Sequence, residues 1–463
     1  MKKKILNSVL TLTLAIFGFI NSAQAQIIAG GANHSLSLCS DNTARAWGRN
    51  EHGQLGNGTN INSNLPVQVS SLTGIINISV GYYHSIALKN DGTVWAWGRN
   101  DYGQLGNGNN TNCNVPTQVN ILAGIIAISG GEMYSIALKN DGTVWTWGKN
   151  DFGQLGIGNY TNSNIPLQVS GISNVSVIAG GGSHALALKN DGTVRAWGRN
   201  FSGQLGNGTT TQSNVPVTIS SLTSVTAIAG GGLHSIALKN DGTVWTWGIN
   251  NTGQLGNGNT GTISTTPTQV LSDISAIAAG EGHSIALKND GTIRTWGKND
   301  LGQLGNGTLT DSSIPVQVSG AIAAVTAIEG GFSHSLALKN DGSIRAFGGN
   351  SYGKLGNGTN INSTVPVQVT GLCIDASAIA ENLIENLISV YPNPSSGIFQ
   401  MTFDNMQLSK VEIEIYNALG EKVYASSNIK QQMQINLSAL SKGIYYVKVY
   451  DGTKIYNQKI VFQ

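Results

Sequence analysis

An aromatic residue followed by glycine returns seven times along this chain, at Trp47, Trp97, Trp147, Trp197, Trp247, Trp296 and Phe347, each within one residue of a fifty-residue step. A period of that length means one supersecondary unit repeated, whose copies must bury their faces against one another because none has a core of its own. The second copy shows the wording: Ile75 to Gly81, His84-Ser-Ile-Ala-Leu, Lys89-Asn-Asp-Gly-Thr-Val-Trp-Ala-Trp-Gly, Gly103-Gln-Leu-Gly, and Val115-Pro-Thr-Gln-Val119. Each copy therefore holds four strand candidates. With 61 glycines and only 11% charged residues among 463, the composition suits short strands and tight turns rather than amphipathic helices.

The turn chemistry makes each unit a meander. Asn90-Asp91-Gly92 between two apolar runs is a hairpin signal, with glycine free to take positive φ, and it recurs at Gly142, Gly192, Gly242, Gly291 and Gly342. Seven four-stranded sheets bury their faces and lose their free edges most completely by closing radially. The expected fold is all-β, a seven-bladed β-propeller of four-stranded blades, followed by a small β-sandwich domain. Period alone leaves kelch-like units open; the phrases at 230–238, 240–248 and 253–258 decide between them. They resemble the regulator-of-chromosome-condensation repeat family over roughly residues 27–371. The nucleotide exchange performed by that family's nuclear founder is not carried over, since likeness of fold transfers no site. Secreted propellers of the same family that inhibit β-lactamases by binding over them are the nearer analogy.

The two ends of the chain differ from the repeat. Lys2, Lys3 and Lys4, the apolar run Ile5 to Ile20 and Asn-Ser-Ala-Gln-Ala ending at Ala25 read as an export signal over 1–25, followed by Gln26 rather than a lipidated cysteine. Without those three lysines the 26 basic residues fall just below the 24 acidic ones, so no nucleic acid is expected as partner. After signal removal no apolar run is long enough to span a bilayer. The propeller is expected over 26–373, a linker over 374–388 and a separate domain over 389–463. Tyr391-Pro-Asn-Pro-Ser-Ser-Gly397, the alternating strand Val411 to Tyr416, the turn at Leu419-Gly420 and Gly443-Ile-Tyr-Tyr-Val-Lys-Val449 mark that last domain as a sandwich. It resembles the type A sorting domain of the type IX secretion system of Bacteroidota. That resemblance implies handling by the type IX machinery and a secreted or outer-cell-surface location.

Six histidines recur at one repeat position, His34, His84, His184, His234, His283 and His334, with Tyr134 in the missing place. Equivalent points on seven blades lie around a circle and cannot converge at the about 2 Å that zinc requires, so these are read as local hydrogen-bonding residues at strand starts. The Asp of each Asn-Asp-Gly turn lacks the spacing of a calcium loop, and no nucleophile elbow, zinc-protease helix or phosphate loop is present. No catalytic residue, metal or cofactor is therefore expected, and the chain is read as a binding propeller rather than an enzyme. Two alternatives stay open: a carbohydrate-active enzyme working at the central channel, which a facing pair of carboxylates would favour, and an inhibitor of a secreted enzyme.

Where the copies agree the residue serves the scaffold; where they differ it is free for recognition. Arg45, Trp95, Trp145, Arg195, Trp245, Arg294 and Arg345 alternate at one half-buried position, where stacking between blades is expected. Two loop positions vary freely. One precedes the histidine and includes Tyr82, Tyr83, Met133 and Phe332; the other precedes Gly-Gln-Leu-Gly and includes Tyr102, Phe152 and Tyr352. Both loops of a meander emerge on one side, so these residues are expected to form one recognition face for a protein or glycan. Cys39 and Cys373 break the repeat at its beginning and end on the opposite face, and a disulfide between them is expected to fasten the ring, leaving Cys113 as an unpaired loop thiol. The strand Val365 to Val369 is expected beside Ile27 to Gly30, whichever sheet it joins.

Overall fold

A computed structural model describes residues 27–320, 322–373, 388–393, 395–403, 408–417, 421–450 and 455–462. The expected signal over 1–25 and nearly all of the expected linker lie outside these residues. Contacts divide the chain into two units, one ending at Leu372 and the other beginning at Cys373.

Among the described residues of the first unit, seven four-stranded antiparallel sheets follow one another, each from consecutive strands. Blade 2 is representative: Ile75–Val80 innermost, then His84–Lys89, Val94–Gly98 and Cys113–Gln118 outermost. Gly92, at φ +77°, turns the second strand into the third, and Asp91 Oδ1 accepts from the Thr93 amide and hydroxyl at 3.0 and 2.6 Å. Cys113 is a free thiol, and it opens a strand rather than sitting in a loop. Cys39 and Cys373 are disulfide-bonded.

Apolar residues on both faces of each sheet pack against the neighbouring blades, so the core consists of seams. At the seam of blades 2 and 3, Ile86, Leu88, Val94 and Ala96 meet Ile125, Ile128, Ala137 and the fully buried Trp147. Burying such an indole contributes several kcal/mol (about 25 cal/mol per Å²). Polar bonds fix the register of every seam, as between blades 1 and 2. Ser85 Oγ donates to the Gln54 carbonyl at 2.8 Å, Trp97 Nε1 donates to that carbonyl at 2.9 Å, and His34 Nε2 lies 2.9 Å from Ser85 Oγ. Because the serine spends its proton on the carbonyl, His34 must be the Nε2–H donor. The histidines are therefore not local devices: each starts a strand, is wholly buried, and bonds to the next blade, as His84 does to Ser135, His184 to Ser235, His234 to Ser284 and His283 to Ser335. Tyr134 keeps the pattern by another route. Its hydroxyl donates to the His184 carbonyl, and the serine position opposite it is Ala185.

The ring closes by the same bonds. His334 Nε2 reaches Ser35 Oγ at 2.8 Å, Ser35 Oγ donates to the Lys354 carbonyl at 2.9 Å, and Trp47 Nε1 donates to it at 2.9 Å. The expectation that the last strand lies beside the first is wrong: Ser363–Gln368 pairs with Ile344–Gly348 on the outside of blade 7, whereas Ile28–Gly30 is the innermost strand of blade 1 and packs against Val325–Gly330. A blade made wholly of consecutive strands leaves no strand to exchange, so the circle closes through side chains and single backbone bonds such as Phe332 N to Gly31 O and Gly358 N to Asn64 O, both at 3.0 Å. Lys354, standing where other copies have glutamine, adds bonds from its buried ammonium to Ser333 Oγ, Asn33 Oδ1 and the Ala32 carbonyl at 2.8, 3.0 and 3.3 Å. The cation stacked on the half-buried tryptophans is also not the expected arginine of another blade. Lys89 lies 5.9 Å over Trp95 and Lys239 4.5 Å over Trp245, each within one blade.

The second unit is a sandwich. A three-stranded sheet (Ile388–Tyr391, Ile398–Phe403, Gln432–Asn436) and a four-stranded one (Lys422–Ser426, Glu412–Asn417, Gly443–Tyr450, Ile455–Phe462) share a core of Phe399, Met401, Phe403, Ile413, Ile415, Val447 and Val449.

Two outcomes follow from the seams. Tyr134→His alone puts an imidazole against Ala185 without a partner and should cost about 1–3 kcal/mol, most of it recovered in the Tyr134→His/Ala185→Ser double variant; denaturant unfolding measures both. Burial also holds His34, His84, His184 and His283 down at about 3, His234 at about 4 and His334 well below its usual range. The unfolded chain binds protons near pH 6.5 that these rings refuse, so their stability is complete above that pH and is lost as pH falls towards 3. Each ring costs about 1.4 kcal/mol per pH unit in that window, and six act together. The melting temperature should fall steeply below pH 6, with a slope reporting uptake of several protons on unfolding; a slope of one proton or fewer contradicts the burial.

Candidate functional site

The loop between the third and fourth strands is held from within by a buried asparagine. Asn100 Oδ1 accepts from the Leu105 amide at 2.9 Å, and its Nδ2 donates to the Asn109 and Thr111 carbonyls at 2.9 and 3.1 Å; Gln104 Oε1 accepts from the Tyr102 amide at 3.0 Å. With the backbone satisfied internally, the varying side chains are presented from a stiff base. Several of the expected residues touch. The Phe332 and Tyr82 rings meet edge to face at 5.5 Å, Tyr82 meets Tyr83 at 6.3 Å, and Tyr83 meets His52 at 5.7 Å. Arg49 lies 5.4 Å over Tyr83 and 5.0 Å over Tyr352, and Arg99 5.6 Å over Tyr83. Burial, then Arg99 and Arg49, hold His52 below its ordinary range, so it meets Tyr83 as a neutral ring. Tyr352 stands in the left-handed region at φ +66°, a conformation that non-glycine residues rarely adopt.

The other expected residues lie apart from that group. Tyr102 is covered by Lys149 at 5.0 Å, and Phe152 pairs with Phe201 at 6.0 Å with Arg199 over both rings. Met133 is a correction. It is 9% exposed, and its sulfur receives Gln104 Nε2 at 3.7 Å, so it supports the loop from beneath instead of lining the face.

Inside the ring of loops opens a central channel of about 340 Å³, walled by the innermost strands. The blades approach so closely there that a Cβ on Gly130 would stand 2.4 Å from the Val80 carbonyl oxygen, which explains the glycine-rich wall. Tyr82, Glu132, Gly182, Gly232, Glu281 and Phe332 rim its mouth, tied blade to blade by backbone bonds such as Tyr82 N to Glu132 O at 3.1 Å and Gly232 N to Glu281 O at 3.1 Å. Glu132 and Glu281 flank the two glycines. Burial raises both carboxyls above their usual range; Lys149 and Arg199 oppose this at Glu132, and Lys298 opposes it at Glu281 while Glu132 reinforces it. Among the described residues no three His, Cys, Asp or Glu side chains are placed to hold a metal ion.

An RCC1-like domain model matches residues 115–382, more than half of the chain. The chain belongs to the RCC1-like domain family. Regulator of chromosome condensation (RCC1) repeats match at 46–88 and 91–138, and a secretion system C-terminal sorting domain at 389–463. Among solved structures, human WBSCR16 is 28% identical with a TM-score of 0.62, covering 68% of this chain and 88% of that one. Prp20p of Saccharomyces cerevisiae is 24% identical with a TM-score of 0.64, covering 76% and 87%. Two curated proteins match over short stretches: the ulvan lyase NLR42 of Nonlabens ulvanivorans, 30% identical over 97 residues, and the ultraviolet-B receptor UVR8 of Arabidopsis thaliana, 42% over 57. Those stretches span only 17% and 13% of the two proteins, and 20% and 12% of this chain. The sorting domain marks this RCC1-like propeller for export through the type IX system to the outer surface or beyond.

Reading the variable residues missed the cations of this RCC1-like face. Arg49, Arg99, Lys149 and Lys298 each pair with the acid two residues on, Glu51, Asp101, Asp151 and Asp300. Arg199 has Phe201 at that position instead, and Phe201 is 55% exposed. The signal was available: Phe201 is the one copy in which a cation is not followed two residues on by an acid, since the other non-acidic copies, Asn251 and Ser351, follow Ile249 and Gly349.

Proposed function

We propose that this RCC1-like propeller is a recognition module acting outside the cell, binding a protein or glycan on its loop face without catalysing a reaction. The observation that carries this reading is the contiguous group Phe332, Tyr82, Tyr83, His52, Arg49 and Tyr352 on a scaffold of near-identical blades. Aromatic rings and arginine offer large contact area at low entropy cost, and both are enriched where binding energy concentrates. The Arg199 site between Phe152 and Phe201 extends the same chemistry. Capture experiments with the mature chain against glycans and surface proteins identify the partner. Replacing Tyr82, Tyr83 and Phe332 together by Ala should then weaken capture at least tenfold, about 1.4 kcal/mol, with unfolding little changed. Unchanged capture assigns binding to another surface.

Residues 1–25 act as the leader in this proposal, in a bacterium of the Bacteroidota, and the tail carries the chain across the outer membrane. Removing 389–463 should leave the propeller in the periplasm, seen by fractionation and blotting; secretion without the tail rejects its role.

A second reading has one observation in its favour, the neighbouring carboxyls Glu132 and Glu281 at the channel mouth. Two carboxylates beside a pocket suit glycosidic bond cleavage. Depolymerisation of a captured glycan, lost in both Glu132→Gln and Glu281→Gln, would replace the binding reading with this one.

A further inference from the structure

We infer that the central channel accepts the cationic end of an extended organic ligand, a primary ammonium or guanidinium group, with Glu329 as its counter-ion. The site stands apart from the loop-face reading, because Glu329 lies on the channel wall and not among the stacked loop residues.

The register identifies Glu329 as an exception. It pairs with Leu336 as Ala29 does with Leu36, Ser79 with Ile86, Ser129 with Ile136, Ala179 with Leu186, Ala229 with Ile236 and Ala278 with Ile285. Six blades thus put Ala or Ser at this point of the wall. The two serines have scaffold partners: Ser79 Oγ accepts from the Gly130 amide at 3.0 Å and Ser129 Oγ from the Gly180 amide at 2.9 Å. Glu329 meets only the backbone of Gly330, is part-buried in the wall of inner strands, and faces the space of the channel. A carboxylate so placed has most of its lone pairs unfilled, which is costly unless it keeps a proton or finds a cation.

The surroundings favour the cation. The channel is lined by three carboxyls, Glu132, Glu281 and Glu329, and by no lysine, arginine or histidine. Facing Glu329 from the other inner strands are Ala29, Ser79, Ser129, Ala179, Ala229 and Ala278, none of which titrates; the titratable neighbours are Glu132, Glu281 and Tyr82 at the mouth. The Tyr82 and Phe332 rings stand at that mouth, where aromatic faces attract a passing cation. A chelated metal is not the match, since no three ligating side chains among the described residues are placed for one. A single carboxylate at the side of a bore of about 340 Å³ suits one ammonium or guanidinium group on a short alkyl chain.

Burial pushes the Glu329 carboxyl up to about 8, so at neutral pH the empty channel holds it protonated. Arrival of the cation ionises it. The carboxyl proton leaves to solvent as the ammonium enters, one positive charge replacing another. Two sources share this chemistry, a free aliphatic diamine and a lysine or arginine side chain of a partner.

Titration calorimetry of the mature chain at pH 7 with cadaverine, and separately with acetyl-glycyl-lysyl-glycinamide, tests the site and tells the sources apart. Binding should release close to one proton, so that the heat differs between phosphate and Tris buffers. Glu329→Ala, which installs the residue that four other blades carry, should fold normally, weaken binding at least tenfold and abolish proton release. A preference for cadaverine assigns a free amine; a preference for the peptide assigns a side chain. Failure of both probes to bind at millimolar concentration, equal heats in the two buffers, or unchanged affinity in Glu329→Ala overturns the proposal.

Discussion

Each blade is a thin sheet with two apolar faces, and neither face can be buried except against another blade. Everything else in the propeller depends on the seam that results. An indole such as Trp97 or Trp147 fills it, and a single backbone carbonyl, that of Gln54 or Gln104, collects both the indole N–H and the hydroxyl of the serine that the preceding histidine holds. Dispersion and burial supply the energy of this contact. The convergent donors supply its register, because a blade slipped by one residue would strand buried polar groups with no water to take them.

Closure then needs no special device of strand exchange. Blade 7 meets blade 1 through the bonds used at the other seams, with Lys354 adding an ammonium that spans Ser333, Asn33 and Ala32. That ammonium is buried and held down to about 8, so the closing seam carries a charge that the internal seams lack. A ring held this way is stiff. Stiffness is what allows loops with asparagine-braced backbones to present aromatic and basic side chains without the entropy loss of ordering them on contact.

In a scaffold of near-identical copies, departures from the repeat carry the information. Tyr134 and Ala185 depart together, one longer and one shorter, and remain a scaffold solution. Phe201 and Glu329 depart alone, one on the loop face and one on the channel wall, and Glu132 and Glu281 sit at the channel mouth at a position that no one residue dominates. This difference between compensated and uncompensated change separates structural variation from sites.

The sequence by itself determined the unit, its number, the strand order within a blade, the turn at each Asn-Asp-Gly and the sandwich after residue 388, because each follows from local periodicity and from residues whose backbone freedom is intrinsic. It also located Tyr82, Tyr83, Phe332, Tyr102, Phe152 and Tyr352 at varying positions. Tertiary structure alone decided which of these touch, that Met133 faces inward, that the histidines bond across seams and that the last strand stays in its own blade. Those outcomes depend on the spacing and rotation between blades, which no single repeat encodes. Glu329 shows the limit most clearly. In the sequence it is one acidic residue in an inner strand, and only the closing of seven strands around it strips away part of its water and makes its charge matter.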